Sequence, residues 1–472
     1  MSGSDLRAWF GPSLLLVGAI TVLRLGLLAF NSTDLFVDEA QYWLWGQDLA
    51  NGYYSKPPLI AWLIGGVTTL AGSDAPFWIR MPGAVLHGIT ALIVAAIAAR
   101  LHSPRAAVWV AVTYVTLPFV ALGSLLISTD SVMAPFFAAA IHFHLRLIDS
   151  RLSRYALLTG VMVGLACLAK YAGVYFLIGA VLAAMFNRDM RPNLTHWAVM
   201  LVSFAAVMTP NVLWNLDHQF STFTHTLDNV GWVAQAGPLA TFNPMNALIF
   251  LVSQFGVFGP ITFAALGLAL LRRRMLGLGT FVWPVLIIVT VQAALDNAYA
   301  NWALSAYFAG AVVATVTLMP YPRWRAVSLL MNGALSLALP ILTVFPQTGP
   351  QDGPLLARYL GRADLSAQLI AMAQHNGAGV IVADRRDIIA DLFYTGRDTG
   401  LKFYTLRPLG RPDNHYEQIY PAPADLTEPF VYIGNRPPTC AAKPAALTLS
   451  GTYAKASFRA WLIAPACLPI AD

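Results

Sequence analysis

Residues 11–59 read GPSLLLVGAITVLRLGLLAFNSTDLFVDEAQYWLWGQDLANGYYSKPPL. An apolar run over 11–30 is followed by an acidic pair, Asp38 and Glu39, and then by Lys56 ahead of Pro57 and Pro58. A run of that length crosses a hydrocarbon core of roughly 30 Å. Charges placed just beyond it lie at a membrane surface, where a carboxylate and an ammonium can act on a lipid headgroup.

The rest of the chain repeats the theme. Its 472 residues are 57% hydrophobic and 11% charged, with a mean hydropathy of +0.61, which excludes an ordinary soluble protein. Further apolar runs at 79–100, 106–123, 131–148, 155–168, 172–187, 196–213, 245–271, 278–295, 299–319 and 325–345 bring the expected transmembrane helices to about eleven. Segment 58–72 is too short to span and opens on a double proline, so an interfacial or re-entrant helix is expected there. Val37 to Leu49, rich in Trp, Tyr and Leu, is expected to lie along the interface as an amphipathic helix.

Orientation follows from the arginines, because basic residues collect in loops retained in the cytoplasm. Arg7, then Arg100 and Arg105, then Arg146, Arg151 and Arg154, then Arg188 and Arg191, then Arg272 to Arg274, then Arg323 and Arg325 occupy alternate connections. The intervening loops hold Asp34, Asp38, Glu39, Asp48, Asp74, Asp130, Asp217, Asp228 and Asp296, with Lys56, Arg80 and Lys170 as their cations. The N-terminus is therefore expected in the cytoplasm, on a retained first helix rather than a cleaved signal peptide. The acidic loops and the C-terminal region face outward, into the periplasm if the host is bacterial. The net charge of +6 is then largely topogenic, and a nucleic-acid partner is discarded.

Residues 346–472 change character, which divides the chain into a membrane part, 1–345, and a C-terminal α/β domain. Helical periodicity over Asp364 to Gln374 and Arg386 to Tyr394 alternates with strands expected near 379–384, 402–406, 430–433, 447–452 and 459–463. Cys440 and Cys467 both lie in this outward region, where an oxidising compartment permits a disulfide. Cys167 reads as a small buried side chain.

At the outer face, a carboxylate can deprotonate a hydroxyl nucleophile while a nearby cation stabilises a departing phosphate. Asp38 and Glu39 supply the first and Lys56 the second; the plain alternative for either acid is a helix-start charge. Arg80 enters the second span and Lys170 sits in the turn between two spans, each either facing the site or snorkelling to the interface. Asp130 either faces the site or caps the fourth span. Arg24, inside the first span, faces the protein or snorkels outward. The long loop from Trp214 to Pro244, with Asp217, His218, Phe220, Phe223, His225, Asp228 and Trp232, reads as a lid or an inert interfacial loop. His218 and His225 raise a metal site as a lesser alternative. Asn301 and Trp302 enter the tenth span as an aromatic anchor or an acceptor contact. Asp384, Arg385 and Arg386 after a strand read as a candidate pocket of the C-terminal domain or, more plainly, as a solvated helix start.

These elements in order (the acidic pair, Tyr53-x-x-Lys56-Pro-Pro-Leu59, Arg80-Met-Pro, Thr129-Asp130, Leu168-Ala-Lys170-Tyr171, then a long outer loop) resemble the polyprenyl-phosphate-sugar glycosyltransferases of the GT-C fold. The likeness, over roughly 12–345, is to the bacterial aminoarabinose and lipid A branch related to protein O-mannosyltransferases. The resemblance implies an inverting transfer in which Asp38, seconded by Glu39, assists the attacking hydroxyl. The departing lipid phosphate is met by Lys56. Tyr42, Tyr53, Arg80, Asp130 and Lys170 bind the donor, and His225, Asn301 and Trp302 form an acceptor contact or lid. It implies a polyprenyl-phosphate-linked sugar donor, a glycolipid acceptor such as lipid A within the bacterial inner membrane, and no required metal, with a divalent ion as the alternative. A protein hydroxyl is the next acceptor. Gln41 stands where the aminoarabinose branch commonly has arginine, so a uronic acid, an aminopentose or a neutral hexose all remain open as the sugar, with the outer cations favouring an anionic one. The absence of a Gly-rich nucleotide fingerprint agrees with a lipid-linked donor. The rivals are a flippase for a lipid-linked sugar, which would favour internal repeats and midplane charges, and a non-catalytic assembly partner that binds glycan.

Overall fold

The computed structural model describes residues 3–229, 242–272, 276–349, 353–440 and 442–467. Trp232, part of the expected lid, lies outside the described residues, as do Arg273 and Arg274.

The first half is helical: α1 (Gly3–Leu28), α2 (Val37–Gln47), α3 (Leu59–Ala71), α4 (Pro76–Leu101), α5 (Pro104–Thr116), α6 (Pro118–Gly123), α7 (Thr129–Ser150), α8 (Ser153–Ala169), α9 (Tyr175–Phe186), α10 (Leu194–Asp217) and α11 (Ser221–Asn229). It continues with α12 (Pro244–Phe258), α13 (Pro260–Leu271), α14 (Leu276–Gly279), α15 (Trp283–Leu295), α16 (Leu304–Leu318) and α17 (Pro322–Val344). Among the described residues seven helices are long and apolar enough to cross a membrane, or eight with one bent pair counted as a span. Eleven crossings require the shorter α8 and α9 and the pair α5 and α6 as well.

Two expected spans are broken, each at a proline. The run 245–271 is not one helix: α12 and α13 meet at 115°. Gly259 there has φ +85°, a backbone that a side chain strains, and a Cβ would run into Asn332. Pro260 then starts the next helix without an N–H to donate. The run 106–123 breaks after Thr116, because Pro118 forces Leu117 into extended backbone at φ −57° and ψ 143°.

The core of the bundle is α16, whose residues from Leu304 to Leu318 are all buried. Arg24 faces the protein: it is 2% exposed and donates to the Val115 carbonyl at 2.7 Å, Ser336 Oγ at 2.6 Å and Ser124 Oγ at 3.2 Å. Those three partners take up Nη1 and Nη2 of a guanidinium held away from water, while its Nε is buried without a hydrogen-bond partner among the described residues.

Beyond α17 the chain becomes α/β. Strands β1 (Val380–Ala383), β2 (Lys402–Thr405), β3 (Phe430–Gly434) and β4 (Arg459–Ile463) form one sheet in the order β2-β1-β3-β4. β1 is parallel to both neighbours, with Ile381 opposite Phe403 and Val431, and β4 runs antiparallel to β3. Helices α18 (Arg362–His375), α19 (Arg386–Thr395) and α20 (His415–Ile419) complete this part. The strand expected at 447–452 does not form. Ala445 makes an isolated bridge to Ala460, and Gly451–Tyr453 is a 3-10 turn whose Gly451 has φ +55°. Cys440 and Cys467 are joined by a disulfide, and Cys167 is buried and free.

The α2 helix departs from its expected place on the lipid interface. Tyr42, Trp43 and Trp45 are all buried, because α3 packs on one side of the helix and α19 on another. Trp43 Nε1 donates to Asp74 Oδ1 at 2.9 Å, its ring meets Tyr394 of α19 edge-on at 5.1 Å, and the Tyr394 hydroxyl donates to the Asp74 carbonyl at 2.7 Å. Asp34 adds a second tie: its Oδ2 accepts the N–H of Arg362, at the start of α18, at 2.8 Å. The aromatic residues that suggested a membrane anchor instead glue the α/β part onto the first outer segment.

Candidate active site

Two adjacent carboxylates on the first turn of α2 separate at once. Helical geometry turns Asp38 and Glu39 about 100° apart, so one faces outward and the other faces the bundle. Glu39 is 1% exposed. Its Oε2 accepts from Arg80 Nη2 at 2.9 Å and from the Phe36 N–H at 2.9 Å, and its Oε1 accepts from Arg80 Nε at 3.1 Å and the Ile127 N–H at 2.9 Å. Arg80, itself fully buried, spends its other N–H groups on the Thr33 carbonyl, Thr33 Oγ1 and the Asp34 carbonyl. Neither side chain has an edge left for a substrate. The expectations of Glu39 as a catalytic group and Arg80 as a donor-binding group are corrected: the pair locks the loop before α2 against α4.

Asp38 opens into a cavity of about 660 Å³. The membrane part contributes Gln41, Tyr42, Tyr54, Lys56, Asp130, Lys170, His225, Asn301 and Trp302 to its wall, and the α/β part contributes Arg358, Arg386, Asp387, Asp413, Asn414 and His415. Eight of the eleven residues to which the family resemblance gives a role thus share one space: Asp38, Tyr42, Lys56, Asp130, Lys170, His225, Asn301 and Trp302.

Local structure explains how they converge. Ser128 is the N-cap of α7, its Oγ accepting the Ser131 N–H at 3.2 Å, so Asp130 is not spent on capping. Lys170 follows the last turn of α8, where a cation meets the negative end of the helix. Its Nζ reaches Asp130 Oδ1 at 2.7 Å and Oδ2 at 2.9 Å, and Asn301 Nδ2 donates to the same Oδ2 at 3.1 Å. Lys56 is held by its backbone: its carbonyl accepts the Tyr53 N–H at 3.2 Å, and Pro57 and Pro58 fix the chain beyond it. Its ammonium enters no ion pair among the described residues.

Tyr53 is a second correction. Its hydroxyl lies 2.9 Å from the Trp45 carbonyl and 3.0 Å from that of Asp48, and its ring stacks on Trp45 at 4.7 Å, so it packs behind the wall. The next residue, Tyr54, faces the cavity and donates to the Pro412 carbonyl at 2.7 Å, with its ring 5.0 Å from that of His225. His218 is exposed and stacked on Trp214 at 4.0 Å, turned away from His225. Among the described residues no three His, Cys, Asp or Glu side chains cluster as metal ligands.

Arg386, which the sequence offered as a pocket residue of the C-terminal domain or a solvated helix start, was not placed at this site by sequence reasoning. It starts α19 at the carboxyl end of β1, and its Nη2 donates to Asp38 Oδ1 at 2.5 Å while its Nε donates to Gln41 Oε1 at 3.1 Å. One signal was available. Two arginines at a helix start run against the helix dipole, which favours anions there. Tyr54, Arg358 and His415 were missed too, and only the folded chain brings them in.

Electrostatics sort these groups. Burial pulls the Lys56 ammonium below its ordinary pKa, with Asp38 acting in the opposite direction. Burial also brings His225 and His415 down to about 4, so both rings are neutral at pH 7. Burial alone would lower Arg386 as well, but the Asp38 carboxylate outweighs it and the net shift is upward. Burial raises the Tyr42 phenol well above its usual value, so it acts only as a neutral hydroxyl. The cavity therefore brings the half-exposed Asp38 carboxylate and the Lys56 ammonium, which enters no ion pair among the described residues, beside a pre-set Asp130–Lys170–Asn301 cluster.

The model of the dolichyl-phosphate-mannose-protein mannosyltransferase family matches residues 55–214. Over 443 residues the chain is 40% identical to the lipid A galacturonosyltransferase RgtD of Rhizobium johnstonii, covering 91% of this chain and 92% of that protein. It is 26% identical over 308 residues to the lipopolysaccharide core galacturonosyltransferase RgtB of the same organism, covering 59% and 60%. Among solved structures, ArnT from Cupriavidus metallidurans bound to undecaprenyl phosphate shares the fold, with a TM-score of 0.65 at 13% identity over 95% of this chain and 97% of that one. Its apo state gives 0.64 at 11% identity over 97% and 98%.

Proposed function

The chain belongs to the bacterial lipid A glycosyltransferases of the GT-C fold, relatives of the protein O-mannosyltransferases, and from that premise we propose that it moves a galacturonosyl residue from a polyprenyl-phosphate donor onto lipid A. The observation that carries the reading is the joint presence of Asp38 and the unpaired Lys56 in one cavity, beside the Asp130–Lys170 pair. Identity to a lipid A galacturonosyltransferase over nine-tenths of both chains supports the sugar and the acceptor.

The chemistry is a single displacement. The acceptor hydroxyl attacks the anomeric carbon, Asp38 accepts its proton, and the bond from that carbon to the phosphate oxygen breaks on the opposite face. The leaving polyprenyl phosphate gains negative charge, which Lys56 meets in a partly desolvated site where the attraction is stronger than in water. Lys170, held by Asp130, which Asn301 in turn holds, presents a second positive edge to the same headgroup. Displacement from the face opposite the phosphate inverts the anomeric centre. The cavity is assigned to the periplasmic side of the bacterial inner membrane, with the N-terminus in the cytoplasm, because the arginine-rich connections lie at the opposite ends of the spans.

Mass spectrometry of lipid A tests this. Cells expressing the wild-type chain should carry a hexuronic-acid mass addition that is missing from cells lacking the chain and from cells expressing Asp38→Asn. An addition of another sugar mass overturns the donor. A lipid-linked sugar accumulating in the cytoplasmic leaflet of cells lacking the chain, with no addition in wild type, overturns the transferase.

A further inference from the structure

A uronosyl phospholipid brings two anions into the cavity, the phosphate and the sugar carboxylate. Only the ring oxygen and C5 separate that carboxylate from the anomeric carbon, so it arrives close to the carboxylate of Asp38 and would be repelled by it. Some cation has to stand between them.

The candidates differ in how they are committed. Lys170 is held by both oxygens of Asp130. Lys56 faces the phosphate in the displacement above. Arg358 is exposed, with its guanidinium 5.0 Å over the Phe36 ring. Among the described residues Arg386 alone bonds the Asp38 carboxylate, through one oxygen, and its second bond is to a neutral amide, Gln41 Oε1. Its Nη1 donates no hydrogen bond among the described residues, so one edge of the fork is open. An arginine fork matches a carboxylate through two parallel N–H bonds, which a hydroxymethyl group in the same position cannot reproduce.

We propose that Arg386 is the specificity residue for a uronic acid: it rests on Asp38 Oδ1 in the absence of donor and takes the sugar carboxylate when donor binds, leaving both oxygens of Asp38 to the acceptor. This rests on the galacturonosyl reading. It assigns the α/β part a role in sugar choice, since Arg386 reaches the membrane part from a position 345 residues beyond Gln41. Gln41 is the hinge of the exchange. Its amide keeps Nε in place in both arrangements, so the guanidinium pivots between two carboxylates rather than leaving the wall.

The test uses the full chain in liposomes, with lipid A as acceptor and two synthetic donors, polyprenyl-phosphate galacturonate and polyprenyl-phosphate galactose. Wild type should prefer the uronosyl donor. In Arg386→Gln the ratio of kcat/KM for uronosyl over galactosyl transfer should fall roughly 10- to 100-fold, the weight of a charge-assisted contact. Arg386→Lys, which keeps the charge and loses the fork, should fall between the two and serves if the glutamine variant does not fold. An equal loss on both donors, in either variant that folds, overturns the proposal and leaves Arg386 as a support for Asp38. A wild-type chain inactive on the uronosyl donor but active on the galactosyl one overturns the galacturonosyl reading, and this proposal with it.

Discussion

Neighbouring carboxylates with opposite fates give the sharpest prediction: Glu39→Gln should cost stability, and Asp38→Asn should cost activity. Glu39 and Arg80 have side chains 2% and 0% exposed, and four hydrogen bonds converge on the Glu39 carboxylate besides a longer contact from Arg80 Nε. Removing one member of a buried ion pair strands the other charge, at a cost of about 3–5 kcal/mol. That is a large part of the roughly 5–15 kcal/mol by which a folded domain is stable. Asp38 and Arg386 are 45% and 38% exposed, so their pair is worth about 0–1 kcal/mol. The assay is thermal unfolding of the purified chain in detergent, read beside transfer to lipid A, for Glu39→Gln, Arg80→Met, the double variant and Asp38→Asn. Each single change at 39 or 80 should lower the unfolding midpoint markedly, and the double should lose much less than the sum. Asp38→Asn should unfold like wild type while transfer drops by roughly 10²–10⁴. A Glu39→Gln chain as stable as wild type but as inactive as Asp38→Asn would refute the division of roles.

Lys56→Met should weaken the donor phosphate contact and lower kcat/KM by roughly 10- to 100-fold. Because burial holds the Lys56 ammonium below the ordinary lysine range, wild-type kcat/KM should decline as pH rises through that lowered value, and Lys56→Arg should move the decline to higher pH. In the α/β part, burial pushes Asp391 up to about 6, against a bond from Thr395 Oγ1 at 2.8 Å. A carboxyl whose folded pKa exceeds its unfolded value of 3.8 contributes stability below pH 3.8 and loses it as pH rises through about 6. Asp391→Asn should therefore stabilise this part at pH 7, by on the order of 2–3 kcal/mol, and flatten its unfolding midpoint between pH 4 and 6.

What the sequence exposed and what it hid have a common physical cause. In an apolar chain each charged residue is costly, so Asp38, Lys56, Asp130 and Lys170 stand out, and their places at the ends of spans bring them to one surface. The same cost is met in two ways that look alike in one dimension. Glu39 and Arg80 neutralise each other inside the protein, whereas Asp38 and Lys56 keep an open edge, and only the helical turn between residues 38 and 39 separates the cases. Tyr53 and Tyr54 exchange roles for a similar reason: neighbours in the bend that leads to Lys56 face different ways. Arg386 was hidden because its partner lies hundreds of residues upstream. The break at Gly259 and Pro260 was visible as a dipeptide, but a long apolar run on both sides masked it.

Because one wall of the cavity comes from α2 and the opposite wall from α19 and α20, the order of synthesis matters. Glu39 and Arg80 can pair early, since both are made within the first 80 residues. Asp38 and Lys56 wait for Arg386 and His415, about 360 residues behind Lys56, and at about 5–20 residues per second that wait is roughly 20–70 s. A nascent chain that has not reached α19 thus carries Asp38 and Lys56 on an open shelf. The cavity is walled on both sides only once α19 and α20 have been made.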